Sequence, residues 1–591
     1  MQLKSLLLAF AAVCLPATCI LADDDDESTT DELLAFPTAE GFGKYATGGR
    51  GGKVVYVTSL EDDADTEGTL RWAVKQYPDD PITIVFAVSG DIVLNERLNF
   101  QRADWTMAGQ TAPGEGIVIT RNKLNVGSSE NFIIRNVRFR VGQKDVDGDV
   151  MEEQALGSEN CTNFIIDHCS FGWSTEENMN TQDSHFLTVQ YSIIHDALYY
   201  ALHDKGARSY AAQWGGSPAT YHHNLLANNY HRSPRFNGAR GEDYVVFMEY
   251  INNVVYNWSG DHLGSYGGEN TADITTYNGL NSAHECNFMN NYYKPGASTK
   301  TSGTLFFTSS YARDGATSWA PAQWYVDGNI MEGNDEATED NWTAIGVETY
   351  TLDDIRVDER IYTETPYYRY TRTGGLGAYD PYDYMLFDYE TAEDAFTNVV
   401  NNAGTVNRDT VERRIAYETI NGTYTYTGPQ YNYNGIIDVE SDAEGFFDYS
   451  TDYTVPTDTD GDGMPDDWET QYGLDPTTED QNTLNADGYT ALEVYLNSLM
   501  GETMNTDFAT TGITNHTTTA PQISFNRSTG TLTVSDNAIG GTVRIYTTDG
   551  RMLCSRTITS SQTSFDGLPE DLLLIQVTGG NLRPRIIKCG R

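Results

Sequence analysis

Short runs of apolar and β-branched residues recur from Phe36 to about residue 340, and each run ends on Asn, His or Asp before a turn. The runs return roughly every 23 to 37 residues. Even strands separated by irregular insertions predict a parallel β-helix with one coil per repeat. Periodicity alone leaves a β-sandwich or a propeller open as alternatives. The clearest runs are 132–136, 164–168, 187–191, 219–223, 250–253, 287–291 and 324–328.

Asparagine recurs where these runs turn, as at Asn136, Asn253 and Asn291. Its side chain tolerates left-handed backbone angles, and amides stacked from coil to coil can bond to each other. We therefore expect asparagine ladders along the solenoid.

The remaining sequence divides by composition. We assign 36–445 to the β-helix, with the Tyr-rich and Thr-rich part after 340 as decorating insertions that are partly helical over 391–411. An acidic loop and amphipathic stretches occupy 446–500, with helices expected from about 468 and over 490–499. A Thr-rich linker covers 501–520. Alternating apolar and polar residues then predict a small antiparallel β domain, sandwich-like, over 521–591.

The first residues have the pattern of a secretory signal. Lys4 precedes an apolar stretch over 6–21, Ala22 is the expected cleavage point, and an acidic linker follows over 23–35. A lipid anchor on Cys19 is the alternative. No second run is long enough to span a membrane, so we expect a secreted or cell-surface protein.

Charge excludes some partners. The 591 residues include 85 acidic and 37 basic ones, for a net charge of −48, which disfavours nucleic acid and anionic membranes as partners.

A chain cleaved after Ala22 keeps five cysteines, too few for a disulfide scaffold at this length, so we interpret them as small buried side chains. We expect a monomer.

The most specific motif is a strand carrying His222 and His223 that runs into a loop with Arg232 and Arg235 on either side of Pro234. Here the sequence resembles the pectate lyase family of secreted polysaccharide lyases. Further motifs agree and follow in the expected order over about residues 36–300. They are GGRGG at 48–52, GTLR at 68–71, AGQTAPG at 108–114, IDHCSF at 166–171, HDKG at 203–206 and YYKPG at 292–296.

The resemblance implies a single-stranded, right-handed parallel β-helix that cleaves α-1,4-linked galacturonan in pectic polysaccharides by β-elimination. Removing the C5 proton places charge on the uronate carboxylate, so such a site needs cations that bind the transition state more strongly. Two alternatives stay open. One is a carbohydrate-binding β-helix without catalysis, and the other is a glycoside hydrolase on the same fold, for which no carboxylate pair stands out.

By position, Arg232 matches the family's catalytic arginine, the C5 base, and Lys205 matches the lysine that binds the substrate carboxylate. Arg235 is expected to bind substrate or anchor the loop. Asn237 replaces the last arginine of the family pattern, which removes one expected carboxylate contact. His168, His222 and His223 are expected to be structural.

The resemblance also implies calcium in the cleft, where the ion would screen the substrate carboxylate. The candidate ligands are Glu152, Glu176 and Glu177, with Asp149 nearby. Gln154 stands where relatives carry an aspartate, so we expect this ion to bind weakly or only together with substrate.

A second calcium site is expected in the loop 458–469, which fits the EF-hand pattern of oxygen ligands around a glycine turn. Its expected role is structural, because it lies far in sequence from the arginine motif. The expected ligands are Asp458, Asp460, Asp462, the Met464 carbonyl, Asp466 and Glu469.

The C-terminal strands, with VRIYTTDGR at 543–551 and apolar runs at 572–577 and 586–588, resemble the C-terminal sorting domain of secreted Bacteroidetes proteins. That resemblance implies a partner in a secretion machinery. An ordinary immunoglobulin-like accessory domain is the alternative.

Overall fold

The computed structural model describes most of the chain from residue 33 to 508 and the strands that follow. Its described residues are 33–238, 246–259, 263–269, 284–300, 304–310, 321–348, 350–361, 367–370, 376–379, 389–508, 523–526, 531–534, 539, 541–547, 552–565, 568, 573–578 and 585–589. The signal sequence with its cleavage point at Ala22, Cys19 and most of the Thr-rich linker lie outside these residues.

Three parallel sheets form the body of the larger compact unit, Leu33–Thr514. Among the described residues, the first sheet comprises Lys53–Val57, Ile82–Phe86, Ala103–Ala108, Glu130–Arg135, Thr162–Asp167, His185–Gln190, Ala219–His222, Val246–Ile251, His284–Met289 and Gln323–Asp327. The second comprises Gly90–Val93, Ile117–Thr120, Arg138–Arg140, Ser170–Gly172, Ile193–His195, Leu225–Ala227, Val254–Tyr256, Tyr292–Lys294 and Ile330–Met331. The third comprises Leu98–Asn99, Leu124–Asn125, Leu156–Gly157, Glu177–Asn180, Tyr210–Trp214, Arg235–Asn237, Leu263–Glu269, Leu305–Ser309 and Ile345–Val347.

Successive coils contribute one strand to each sheet, so the chain winds as a right-handed parallel β-helix, and the predicted fold class is confirmed. Aromatic side chains of successive coils stack inside the solenoid. The rings of Trp105, Phe132 and Phe164 lie face to face, with centroids 4.6 Å apart at each step. Such contacts bury apolar area while keeping the rings in favourable offset geometry.

The expected asparagine ladder is present at one turn of the solenoid. The side-chain amide of Asn253 donates to the oxygen of Asn291 at 3.2 Å, and Asn291 donates to Asn329 at 2.8 Å. Asn329 donates in turn to Asn341 at 3.0 Å. Because these side chains are buried, their mutual bonds remove the cost of leaving amides without partners.

Helices lie outside the sheets. Their bounds are Leu70–Ala73, Asp335–Glu339, Leu352–Ile355, Ala392–Asn402, Thr410–Asn421, Asp466–Tyr472 and Ala491–Leu499, with 3₁₀ turns at Gly109–Thr111, Asn341–Ala344 and Glu440–Asp442. The helices expected from about 468 and over 490–499 are thereby confirmed. A short hairpin pairs Tyr367–Tyr370 with Leu376–Tyr379.

Buried ion pairs fasten the helix Thr410–Asn421 to the second sheet. Arg138 donates to Glu412 at 2.6 Å, and Arg140 donates to Asp409 at 2.6 Å. All four side chains are almost fully buried. Removing one partner of such a pair leaves an uncompensated buried charge, so this contact fixes the position of the helix.

Two antiparallel sheets form the C-terminal β domain. One comprises Ile523–Asn526, Thr531–Val534 and Gln562–Ser564, and the other comprises Met552–Thr557, Thr542–Thr547, Leu573–Thr578 and Arg585–Cys589. Leu532, Val543, Ile545 and Ile575 are fully buried in a core of their own. The alternating pattern of the sequence therefore predicted this domain correctly.

The side chains of Cys161, Cys169 and Cys286 are buried, and that of Cys554 is half-buried. Burial raises the pKa of the Cys169 thiol, so it stays protonated and behaves as a small apolar side chain. In the part of the chain that the structure describes, no helix has the length and apolar character needed to cross a bilayer.

Candidate active site

A polar cleft of about 500 Å³ lies along the outer face of the third sheet. Its walls are charged with both signs, which suits a polyanionic ligand held by specific ion pairs better than an apolar one. The lining residues are Arg97, Lys123, Glu152, Glu153, Gln154, Glu159, Glu176, Glu177, Asn180, Gln182, Lys205, Arg208, Gln213, Arg232 and Arg235.

The register of the third sheet explains how polar residues reach this face. Asn180 pairs with Gln213, and Gln213 pairs with Arg235, so these three side chains stand one above another on successive coils. Their neighbours Met179 and Ala212 point the other way and are fully buried in the core. Side chains alternate between the two faces of a strand, so one row faces the core and the next faces the cleft.

Arg232 is held by four different groups. Its guanidinium donates to the carboxylate of Glu177, to Tyr266 Oη at 3.2 Å and to Gln213 Oε1 at 3.2 Å. It also lies over the ring of Tyr210, 4.1 Å from the centroid. The Arg232 backbone is left-handed, with a φ of 56°, which costs roughly 1–2 kcal/mol outside glycine. The surrounding contacts thus fix this arginine at the edge of the cleft.

Arg235 begins the strand Arg235–Asn237, which follows Arg232 in the chain, and it lines the same cleft. It forms an ion pair with Glu269 and donates to Gln213 Oε1 at 3.4 Å. Gln213 therefore accepts from both arginines and links them. Asn237 ends the same strand but is buried and does not line the cleft.

Lys205 stands at the rim, with 69% of its side chain exposed and its ammonium 3.6 Å from Glu176. Glu176 also accepts from Arg208 and from His203, the latter at 2.7 Å. Burial opposes ionisation of Glu176, but Arg208 and His203 outweigh it and lower its pKa. Lys205 is the most accessible of these cations, and the structure brings it to the cleft that holds Arg232.

The side-chain oxygens around Gln154 have cationic side chains as partners, in the region where a cleft calcium is expected. Lys123 Nζ donates to Gln154 Oε1 at 2.8 Å and lies 3.9 Å from Glu153. Glu153 is also paired with Arg97, and the amide of Gln154 lies 3.5 Å from Glu177. Burial lowers the pKa of Lys123. A lysine ammonium therefore fills the space beside Gln154.

The four carboxylates predicted for the cleft ion do not converge. Glu152 accepts from the backbone N–H of Asp204 at 2.7 Å, and Glu176 and Glu177 are each paired with arginine. Asp149 lies in an exposed turn and does not line the cleft. Among the described residues, no three carboxylates of the cleft come close enough to share an ion. These residues do not fit a resident calcium, because arginines already neutralise Glu176 and Glu177, a backbone N–H holds Glu152, and Asp149 lies outside the cleft.

His168, His222 and His223 lie away from the cleft, at the turn that follows the first sheet. His222 and His223 are buried and joined through their Nδ1 atoms at 2.8 Å, and His168 Nδ1 lies 2.8 Å from Asp167. Burial lowers the pKa of His222 well below its ordinary value and lowers that of His223 to about 4. Both rings are neutral at pH 7, as expected of structural histidines.

Sequence reasoning missed several cleft residues. Lys123 was missed because it reaches Gln154 only through the stacking of adjacent coils, a register that no local motif reports. Arg208 follows Lys205 by three residues, and that spacing within one loop is a signal that could have found it. Tyr210 and Tyr266 sit in ordinary strand positions and carry no such signal.

The structure brings together most of the residues predicted for the second calcium site. Asp458, Asp460 and Asp462 form one group of converging carboxylates, and Glu469 joins Asp462 in a second. Burial, reinforced by the neighbouring carboxylates, raises the pKa of Asp462 to about 7 and that of Glu469 to about 8. The carboxylate of Asp466 instead accepts two hydrogen bonds from Thr459 in the same loop.

Comparisons with known proteins give one family. No family model matches the chain. Probable pectate lyase C from Aspergillus flavus is 32% identical over 476 residues, covering 80% of this chain and 95% of that protein. Its counterpart from Emericella nidulans is 33% identical over 479 residues, covering 80% and 94%.

Solved structures with a similar fold include jun a 1, the major allergen from cedar pollen, with a TM-score of 0.38, 18% identity and coverage of 62% of this chain and 93% of that one. A pectate lyase from Bacillus sp. N165 in complex with trigalacturonate has a TM-score of 0.35 and 14% identity, covering 62% and 98%. The Aspergillus and Emericella relatives extend over four-fifths of the chain, and on that ground the protein is a pectate lyase-like enzyme and belongs to the pectate lyase family.

Proposed function

We propose that this enzyme cleaves α-1,4-linked galacturonan by β-elimination in the cleft of the third sheet. The observation that carries the proposal is the placement of Arg232, Arg235 and Lys205 on one open groove, where Gln213 joins the two arginines and Glu176 holds Lys205. Family membership supports the reaction class, since the named relatives are probable pectate lyases. A polar groove on the outer face of a solenoid is accessible to a polymer.

In the proposed reaction Arg232 is the base. One guanidine nitrogen takes the C5 proton, and the electrons of the C–H bond form the C4–C5 double bond. The C4–O bond then breaks, and its electrons leave with the glycosidic oxygen, which takes a proton from water. The hydroxide that remains removes the added proton from Arg232 and restores the neutral guanidine. The products are an unsaturated uronate and a new saturated chain end.

A guanidine accepts a proton only in its neutral form, which neighbouring cations favour and carboxylates oppose. Arg232 is paired with Glu177 in the absence of substrate. We propose that a substrate uronate exchanges with this pair and brings the reacting carbon to Arg232. Arg235 and the exposed ammonium of Lys205 would then bind the uronate carboxylate as its charge grows.

Lys123 and Arg208 would supply further positive charge along the cleft. An arginine fork binds a carboxylate with two parallel hydrogen bonds, whereas a lysine acts as a point charge. No step of this mechanism passes through a metal ion, because Glu153 is paired with Arg97 and Glu176 is paired with Arg208.

The proposal is tested by the ultraviolet absorbance of the unsaturated product. The full chain is incubated with polygalacturonate and, separately, with methylated pectin. We expect absorbance to rise on polygalacturonate, because the cations of the cleft are arranged for free carboxylates. If either polymer bound without any rise in absorbance, the protein would be a carbohydrate-binding protein without lyase activity, and the proposal would be wrong.

We also propose that the protein is a secreted monomer, with a leader removed after Ala22 and with 521–591 acting as a sorting domain. The apolar stretch over 6–21 and the separate β domain support this. Mass spectrometry of the mature N-terminus tests the cleavage. Deletion of 521–591 should retain the enzyme inside the cell, and normal release of the truncated chain would exclude the sorting role.

A further inference from the structure

A loop and two helices near the end of the larger unit pack on the first coil of the solenoid. The loop begins at Asp458, whose carboxylate accepts from the hydroxyl of Tyr56 in the strand Lys53–Val57. Met464, further along the loop, is fully buried against Ala108 and the helix Ala491–Leu499. The strand Lys53–Val57 is the edge strand of the first sheet, so this segment covers an edge of the solenoid.

Five carboxylates converge between this loop and the turn that follows it. In each of two groups, one oxygen from every member lies within 4.8 Å of the others. Asp462 belongs to both groups and joins them into one cluster. The first group is Asp458, Asp460 and Asp462, and the second is Asp462, Glu469 and Asp480.

The carboxylate of Glu469 is buried within this cluster without a group, in the described part of the chain, that neutralises it. Its side chain has no solvent exposure, and neither of its carboxylate oxygens has a hydrogen-bond partner among the described residues. Asp460 Oδ2 and Asp480 Oδ1 are likewise buried without partners. Burying an unpaired carboxylate is unfavourable unless a proton or a cation neutralises it, and a single divalent cation can neutralise several converging carboxylates at once.

The ligand set differs from the one expected from the loop sequence. Asp466 accepts from the backbone N–H and the hydroxyl of Thr459, both at 2.7 Å, and so caps the loop instead of facing the cluster. Asp480 comes from outside the loop, and its backbone N–H donates to Asp462 Oδ2 at 3.1 Å. That bond ties the second turn to the loop and brings the Asp480 carboxylate to the cluster.

We propose that one calcium ion is bound by Asp458, Asp460, Asp462, Glu469 and Asp480, and that it fastens this segment to the first coil. Oxygen ligands alone, supplied by a loop with glycine turns, suit calcium better than a transition metal. Gly461 and Gly463 both have positive φ, at 78° and 98°, and allow the loop to fold back on itself.

The ion would act as a stabilising clamp. Without it, five mutually repelling carboxylates lie beside Tyr56 and under the helix Ala491–Leu499, and the segment is held against the solenoid less firmly. With the ion bound, the ligands from the loop and the ligand from the turn at Asp480 would all coordinate the same calcium ion. Calcium binding is thereby linked to the folding of the segment.

The test is calcium titration of the full chain by calorimetry, with thermal unfolding in calcium and in chelator. We expect one ion per chain and a melting temperature raised by about 2–5 °C at saturating calcium. Asp480→Asn should weaken calcium binding at least tenfold. Asp466→Asn, the matched control, should bind calcium within about threefold of the original chain.

A second readout guards against misfolding of a variant. Removing one charge relieves repulsion when no ion is present, so Asp480→Asn should melt higher than the original chain in chelator and lower in calcium. Loss of binding in Asp466→Asn with retention in Asp480→Asn would overturn the ligand set. Absence of calcium binding by the original chain would overturn the site, and neither result depends on lyase activity.

Discussion

The carboxylate of Glu177 accepts a hydrogen bond from the guanidinium of Arg232, so the proposed base is held by a carboxylate of the protein itself. Glu177 begins the strand Glu177–Asn180 and Arg232 precedes the strand Arg235–Asn237, two coils further along the third sheet. The side chain of Glu177 is 6% exposed and that of Arg232 is 15% exposed. A substrate uronate therefore has to compete with a partly buried ion pair.

This competition predicts opposite effects for two substitutions of Glu177. Glu177→Gln keeps an oxygen that can accept from Arg232 but removes the competing charge, so we expect KM for polygalacturonate to fall about threefold to tenfold with kcat preserved. Glu177→Ala also removes the positioning contact, so kcat should fall at least tenfold. Steady-state kinetics measures both, and a higher KM in Glu177→Gln would contradict the competition.

The position of the Lys123 ammonium beside Gln154 leads to a prediction for the activity after a chelator has removed calcium. Because side-chain cations neutralise the cleft, kcat/KM on polygalacturonate should stay within about twofold when calcium is chelated. Circular dichroism of the same samples shows whether the fold survives chelation. A tenfold loss of activity in a folded sample would mean that an ion works in the cleft.

The same arrangement makes Lys123 a binding residue for the polyanion. Lys123→Met should lower kcat/KM about tenfold, because the cleft loses a cation while keeping the length of the side chain. Lys75→Met is the matched control, since Lys75 is exposed outside the cleft. Equal rates for the two variants would remove Lys123 from the account.

A buried ion pair predicts the acid sensitivity of the solenoid. Burial opposes ionisation of Asp196, but Arg414 and His195 outweigh it and lower its pKa from 3.8 to about 2. A lowered pKa contributes stability above the unfolded value, and that stability is lost as the pH falls towards 2. The contribution is about 2 kcal/mol.

Asp196→Asn should therefore unfold more easily than the original chain at pH 7, because Arg414 loses its 2.5 Å partner. The difference in free energy of unfolding should shrink by about 1.5 kcal/mol at pH 2.5, because part of the contribution remains until the pH falls below 2. Urea unfolding at the two pH values measures it. A difference that is independent of pH would show that Asp196 is not the titrating group.

The fold was predictable because its signals are local and repeated. Asn253 and Asn291 mark successive turns, and runs such as 132–136 have the same composition from coil to coil. The contacts of the helix Thr410–Asn421 were not predictable. Arg138 meets Glu412 across 274 positions of sequence, and only the folded solenoid brings them together.

In both the cleft and the acidic loop, some site residues were predictable from a local motif and others are placed only by the fold. Arg232 and Arg235 could be found from a motif, whereas Lys123 is placed by the register between coils. In the acidic loop, the spacing predicts Asp466 as a ligand, but Thr459 captures it through two short-range hydrogen bonds. Asp480 then takes its place in the cluster from outside the motif.

The most direct test of the account is the rate of unsaturated product formation by Arg232→Ala on polygalacturonate. Arg121→Ala is the matched control, because Arg121 lies outside the cleft and its side chain contacts the backbone of Lys144. We predict that Arg232→Ala loses 10²- to 10⁴-fold in kcat while Arg121→Ala stays within about twofold. Elimination by a folded Arg232→Ala at more than half the original rate would contradict the assignment of the base.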